Sequence, residues 1–156
     1  MCSIINAAKK TQGGLAKRGP VYADLVEVAE SGDASAASLC GQMLLTGDGV
    51  AADKEAALVF FIKAAEGGDA GAAFNAAQLL FAAGKAAEAV VWYTRAADSE
   101  HADAQFNLGE AYREGAGVEV DAAKAVAWLA RAAKNGHQDA AHNLKVLQRQ
   151  DSRFDD

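Results

Sequence analysis

The chain has 156 residues, a one-domain length, with 51% hydrophobic residues, only 7% aromatics and a formal charge of −6. Its first 19 residues hold Lys9, Lys10, Lys17 and Arg18 and no acid, so the remaining 11 basic and 21 acidic side chains leave −10 on the rest, a charge that repels nucleic acid and anionic membranes. No run of about 18 apolar residues is present to span a membrane, and the start, MCSIINAAKK, lacks the apolar core of a secretory signal. The excess of alanine and other strong helix formers, with a single proline, predicts an all-α protein.

In chain order, residues 1–19 read as a flexible basic segment. Pro20 sits at the first turn of a helix running to Glu30, with Val21, Leu25, Val28 and Ala29 on one apolar face. This helix, over 20–31, is expected to cap one end of the domain. Ser31-Gly32 close it and Asp33 caps the next. Helices then come in pairs: Ala34–Leu45 with Lys54–Glu66 (repeat 1, 33–67), Ala70–Ala82 with Ala86–Asp98 (repeat 2, 69–99), and Asp103–Arg113 with Ala122–Lys134 (repeat 3, 101–135). A last helix, Gln138–Arg149, caps the other end over 137–150, and a tail of 151–156 follows. Residues 20–150 are thus expected to form one domain.

The pairs are copies of one another. A shift of 68 residues lays Gly47-Asp-Gly-Val50 on Gly115-Ala-Gly-Val118, Asp53 on Asp121, Phe60 on Trp128 and Lys63-Ala-Ala65 on Arg131-Ala-Ala133. The middle copy aligns its second helix 36 residues back, Trp128 on Trp92, and its first helix 32 residues back, Asn107 on Asn75. Four residues are therefore missing from its turn, and Ala77 replaces the glycine of its first helix. Fixed periods of this size on helical patterns mean stacked helix pairs. The GDGV or GAGV turn, the Asp three residues on, the Trp or Phe and the (Lys/Arg)-Ala-Ala together resemble Sel-one-like repeats (SLR), relatives of tetratricopeptide repeats, over Gly32 to Leu147. The resemblance implies an α/α superhelix, or solenoid, of three repeats with partial capping helices, of bacterial type.

Signals for chemistry are sparse. His101 and His137 are equivalent positions one repeat apart, about 10 Å if helices stack at their own width, too far to share a zinc ion with bonds near 2 Å. They read as polar helix starts. The glycine pairs follow helices rather than strands, which excludes a dinucleotide loop. Glu110, Arg113 and Glu114 read as i, i+3 and i, i+4 pairs on a solvated helix face. No catalytic constellation, metal site or cofactor is expected, and the chain is read as not an enzyme. Cys40, at the place of Leu108 in the third copy, reads as a small core residue. Some secreted relatives carry paired cysteines that this chain lacks, so a cytoplasmic location is expected, or a periplasmic one if a leader has been removed.

The resemblance also implies a concave surface lined by the first helix of each pair. It puts Ser38, Phe74, Phe106 and His142 at equivalent groove positions, and Gln42, Gln78 and Glu110 one turn on, with Phe81 and Arg113 a turn further. Asn75, Asn107 and Asn143 recur beside them as scaffold ties or ligand contacts. Phe74 and Phe106 belong either to this groove or to the packing between repeats. The expected function is an adaptor that binds a protein or peptide segment in the groove, with no nucleic acid or membrane partner and with weak end-to-end self-association. The alternative is an acidic inhibitor or immunity-type protein that neutralises one partner enzyme or toxin.

Overall fold

The computed structural model describes residues 21–153; the basic segment 1–19, Pro20, Cys2 and the last three residues lie outside the described residues. Among them are eight helices and no strand: α1 (Tyr22–Glu30), α2 (Ala34–Thr46), α3 (Lys54–Glu66), α4 (Ala70–Ala82), α5 (Ala86–Asp98), α6 (Ala102–Glu114), α7 (Ala122–Lys134) and α8 (Gln138–Asp151). Side chains at the helix starts satisfy first-turn N–H groups. Asp33, Asp53, Asp69 and Asp121 accept from the amides of Ala36, Ala56, Ala72 and Lys124 at 2.8–3.1 Å. First helices end on left-handed glycines, Gly47 (φ 75°) and Gly115 (φ 76°), whose N–H groups return to Met43 and Ala111. The described chain forms two compact units that meet inside α4, between Ala76 and Ala77.

In the first unit α2 packs against both α1 and α3. Gly41 faces the Phe61 ring so closely that a Cβ there would lie 2.8 Å from two ring carbons. Absence of a side chain on α2 is what admits a fully buried phenylalanine from α3. The face of α1 differs from the expectation. Tyr22, Val26 and Ala29 are buried, whereas Val21 and Val28 are 38% and 45% exposed. Both sets have helical spacing; the larger aromatic decides between them, because Tyr22 meets Phe60 edge-on with centroids 6.4 Å apart. Burial, then the nearby Cys40 and Asp53, pushes the Tyr22 hydroxyl up to about 12. Cys40 is an unbridged thiol in the same core, raised to about 11 by burial, which keeps it neutral and unreactive.

In the second unit α6 packs on α5 and α7, and α7 on α8. Gly109 repeats the role of Gly41, since a Cβ on it would lie 2.9 Å from Leu129 Cγ. The third turn is packed tighter still. Gly117, at φ 76°, lies where a Cβ would come within 2.4 Å of the Ala86 carbonyl carbon, so backbone approaches backbone.

This unit also holds a polar cluster that the alanine-rich pattern hides. Glu100 stands where the other copies have Gly32, Gly68 and Gly136, and it keeps their positive φ, at 62°. No other described non-glycine residue does so. Its carboxylate accepts from Asn135 Nδ2 (2.7 Å), from Arg131 Nη2 and from Gln105 Nε2 (3.1 Å). Gln105 is fully buried; its amide donates also to the Ala97 carbonyl (3.0 Å) and accepts from Asn135 (2.9 Å). Every polar group of the buried amide is thus paired, which the low dielectric demands. Hydrogen bonds from Asn135, Arg131 and Gln105 hold the Glu100 carboxyl down at about 2.

Two predictions follow from these contacts. Gly136 has φ 91° and open space around its missing Cβ, so Gly136→Ala should cost only the left-handed strain, about 1–2 kcal/mol. Gly117→Ala adds a backbone clash of about 1–3 kcal/mol and should lower the urea midpoint clearly further; equal losses would contradict the close approach. For Glu100, the lowered folded-state value means that its network adds stability above about pH 4.5 and loses it as the pH falls towards 2. A Glu100→Gln chain should therefore be less stable than the parent at pH 7, with a deficit that closes between about pH 5 and pH 2 in urea unfolding. A deficit constant over that range would rule the network out as the source.

Candidate docking surface

Two of the three histidines, His101 and His137, are used by the scaffold. His101 and His137 cap α6 and α8 through Nδ1, which accepts from the Ala104 and Ala140 amides at 3.2 and 3.1 Å. The His137 Nε2 lies 3.3 Å from Asp103 Oδ1, and its ring stacks on Phe106 with centroids 4.3 Å apart and planes 15° from parallel. His142 is exposed on α8. Among the described residues no three His, Cys, Asp or Glu side chains are placed to hold a metal ion, and no helix is long and apolar enough to cross a membrane.

The groove positions divide between the units. In the first, Ser38, Phe74 and Asn75 are half-buried and Gln42 is exposed. In the second, Phe81, Asn107 and Glu110 come together on one cavity of about 210 Å³. Val90 and Tyr93 of α5 and Ala111 of α6 complete its apolar wall, and Glu114 and Ala116 its edge. Phe81 is 49% exposed there. Arg113 belongs to the rim: its Nε and Nη2 donate to Glu110 at 3.1 and 2.5 Å, and Nη2 reaches Glu114 Oε1 at 2.8 Å. Its hydrogen bonds to Glu110 first, then the charges of Glu110 and Glu114, raise the guanidinium above its usual value.

Several groove positions are tied into the packing between helices. Phe106 packs with Leu129, Ala132 and Ala140, so it belongs to the contact of α6 with α7 and α8. Asn107 hydrogen-bonds the Tyr93 side chain, whose hydroxyl is nonetheless raised by burial. Asn143 Nδ2 donates to Glu110 Oε1 at 3.3 Å. Both asparagines thereby tie their helix to the preceding repeat. Gln78 and His142 are exposed and do not line the cavity. Sequence reading missed Val90, Tyr93 and Glu114 as members of a site. The cavity lies between α5 and α6, and Phe81, one residue from the end of α4, is its one lining residue from before the short second turn. Three residues join α4 to α5, against seven between α2 and α3 and seven between α6 and α7.

The chain matches the model of the Sel1 repeat at residues 34–69, 72–101 and 102–137. Comparison with curated proteins gives no match. Among solved structures it is similar to a Sel1 repeat protein from Oxalobacter formigenes, with 35% identity and a TM-score of 0.69 over 78% of this chain and 95% of that one. It is similar also to c5321, a protective antigen of uropathogenic Escherichia coli with an SLR fold, at 25% identity and a TM-score of 0.73 over 96% of this chain and 34% of that one. Cysteine-rich protein B of Helicobacter pylori shares the fold, at 21% identity and a TM-score of 0.61 over 81% of this chain and 98% of that one. With three repeats matched and their helix pairs, caps and turn glycines in place, the chain belongs to the Sel1 repeat family, an all-α helical-repeat solenoid fold typical of protein–protein interaction modules and generally non-enzymatic.

Proposed function

We propose that this chain is a non-enzymatic adaptor that binds a protein or peptide segment on the first-helix face of its second unit, around Phe81, Asn107, Glu110 and Arg113. The observation that carries the reading is a half-exposed phenylalanine at an apolar cavity, in a molecule whose capping histidines and Asn143 are already engaged by the scaffold. An exposed aromatic beside a concave apolar wall with a charged rim is how protein-binding sites are composed. In the first unit the same reading assigns contacts to Ser38, Gln42, Phe74 and Asn75. A second reading, an acidic inhibitor that plugs a basic partner surface, draws on the −10 carried beyond residue 19. Steep salt dependence of the association rate marks the inhibitor, and a weak one marks the adaptor.

Site-directed photo-crosslinking tests the proposal. A benzophenone side chain at position 81 or 110 should trap a discrete partner protein from the native host. The same group at Ala127, exposed on α7, should trap far less. Equal labelling from both faces, or labelling from position 127 alone, would overturn the proposed surface.

A further inference from the structure

The connection after α4 is shortened in a particular way. In the first and third repeats the Asp53 N–H reaches the Leu44 carbonyl, and the Asp121 N–H the Tyr112 carbonyl, each at 2.9 Å, across seven-residue turns. In the second repeat the equivalent bond, Lys85 N–H to the Leu80 carbonyl, is kept at 2.9 Å across three residues. The two helix ends are therefore tied as in the other copies, and the four missing residues are lost from the arc that rises over the end of the first helix. Phe81, beside that end, forms one wall of the cavity, and α5, α6 and Ala116 form the rest.

Size and charge then select an occupant. At about 210 Å³ the space exceeds the roughly 150 Å³ that accommodates a benzene ring, and falls below the roughly 300–1,000 Å³ of small-molecule and cofactor sites. It suits one bulky apolar side chain. Along the rim, Glu110 and Glu114 face a single guanidinium, Arg113, so one negative charge is left over, and Arg113 engages only Oε1 of the 59%-exposed Glu114.

Resting on the reading of this face as a protein-binding surface, we infer that the space left by the shortened second turn is a side-chain socket. It takes a leucine, isoleucine, methionine or phenylalanine of a partner segment that carries a lysine or arginine beside it, with the cation on Glu114 and Glu110.

The socket can be probed with blocked dipeptides against the full-length ¹⁵N-labelled chain. Ac-Phe-Arg-NH₂ should shift the amides of Phe81, Val90, Tyr93 and Ala111 at millimolar concentration. It should bind about fivefold more tightly than Ac-Phe-Glu-NH₂, an advantage of the size that exposed ion pairs allow, and Ac-Gly-Arg-NH₂ should leave those amides in place. Glu114→Gln, a change on the exposed rim, should bring the two phenylalanine peptides to within about twofold of each other. Equal binding of the Arg and Glu peptides, shifts confined to other helices, or peptide-free shifts of the same amides that grow with protein concentration, which would make a second copy of the chain the occupant, each overturn the socket. If crosslinks from position 81 still trap a partner while the dipeptides fail, the adaptor reading stands and the socket does not.

Discussion

Each long-turned repeat depends on a helix that lacks a side chain where its partner carries a large one. Gly41 receives the Phe61 ring and Gly109 receives Leu129, and in both a single added carbon would sit below 3 Å from the intruding side chain. The contact does two jobs. It sets how closely the helices of a pair approach, and it buries one large apolar residue in a core rich in alanine. At about 0.8 kcal/mol per buried CH₂ the alanines contribute little individually. Phe61, Leu129, Leu108 and the aromatics supply most of the apolar area, and the glycines are what let two of them in.

That grammar explains why so much of the fold was legible. Glycine, a large apolar residue, an aspartate cap and a left-handed turn recur in register, and each leaves a letter in the sequence. The part of the site that was legible is the part on first helices, Phe81, Asn107 and Glu110, because the repeat fixes which helix face they occupy. Val90 and Tyr93 were harder to see, since they belong to a second helix whose residues normally pack inward. Both are buried side chains that meet the cavity only along one edge. The α1 face was misread because two apolar sets share one spacing, and only the contact between Tyr22 and Phe60 separates them. The network on Glu100 left one trace, an acidic residue where three copies have glycine. That trace is readable once the positive φ of the position is known.

Regularity and departure divide the labour in the second unit. The capping histidines, the paired asparagines and the buried Gln105 spend their polar groups on holding helices together. Glu100 keeps a strained backbone conformation of the kind that costs about 1–3 kcal/mol, and its three hydrogen-bonded partners come from α6, α7 and the residue that ends α7. Where the repeat keeps its long turn, the polypeptide covers its own helix ends. Where it shortens the turn, an aromatic side chain and an apolar wall are left open beside a carboxylate rim. The cavity thus sits beside the copy that departs most from the pattern.

The central claim is that the missing arc makes the binding place. It is tested most directly by putting the arc back. Residues 83–85 would be replaced by the seven-residue turn of residues 115–121, and partner binding to the intact protein measured by titration calorimetry. The account predicts a folded chain, with its closing hydrogen bond retained and its affinity reduced at least tenfold. A grafted chain that folds and binds as tightly as the parent would contradict it.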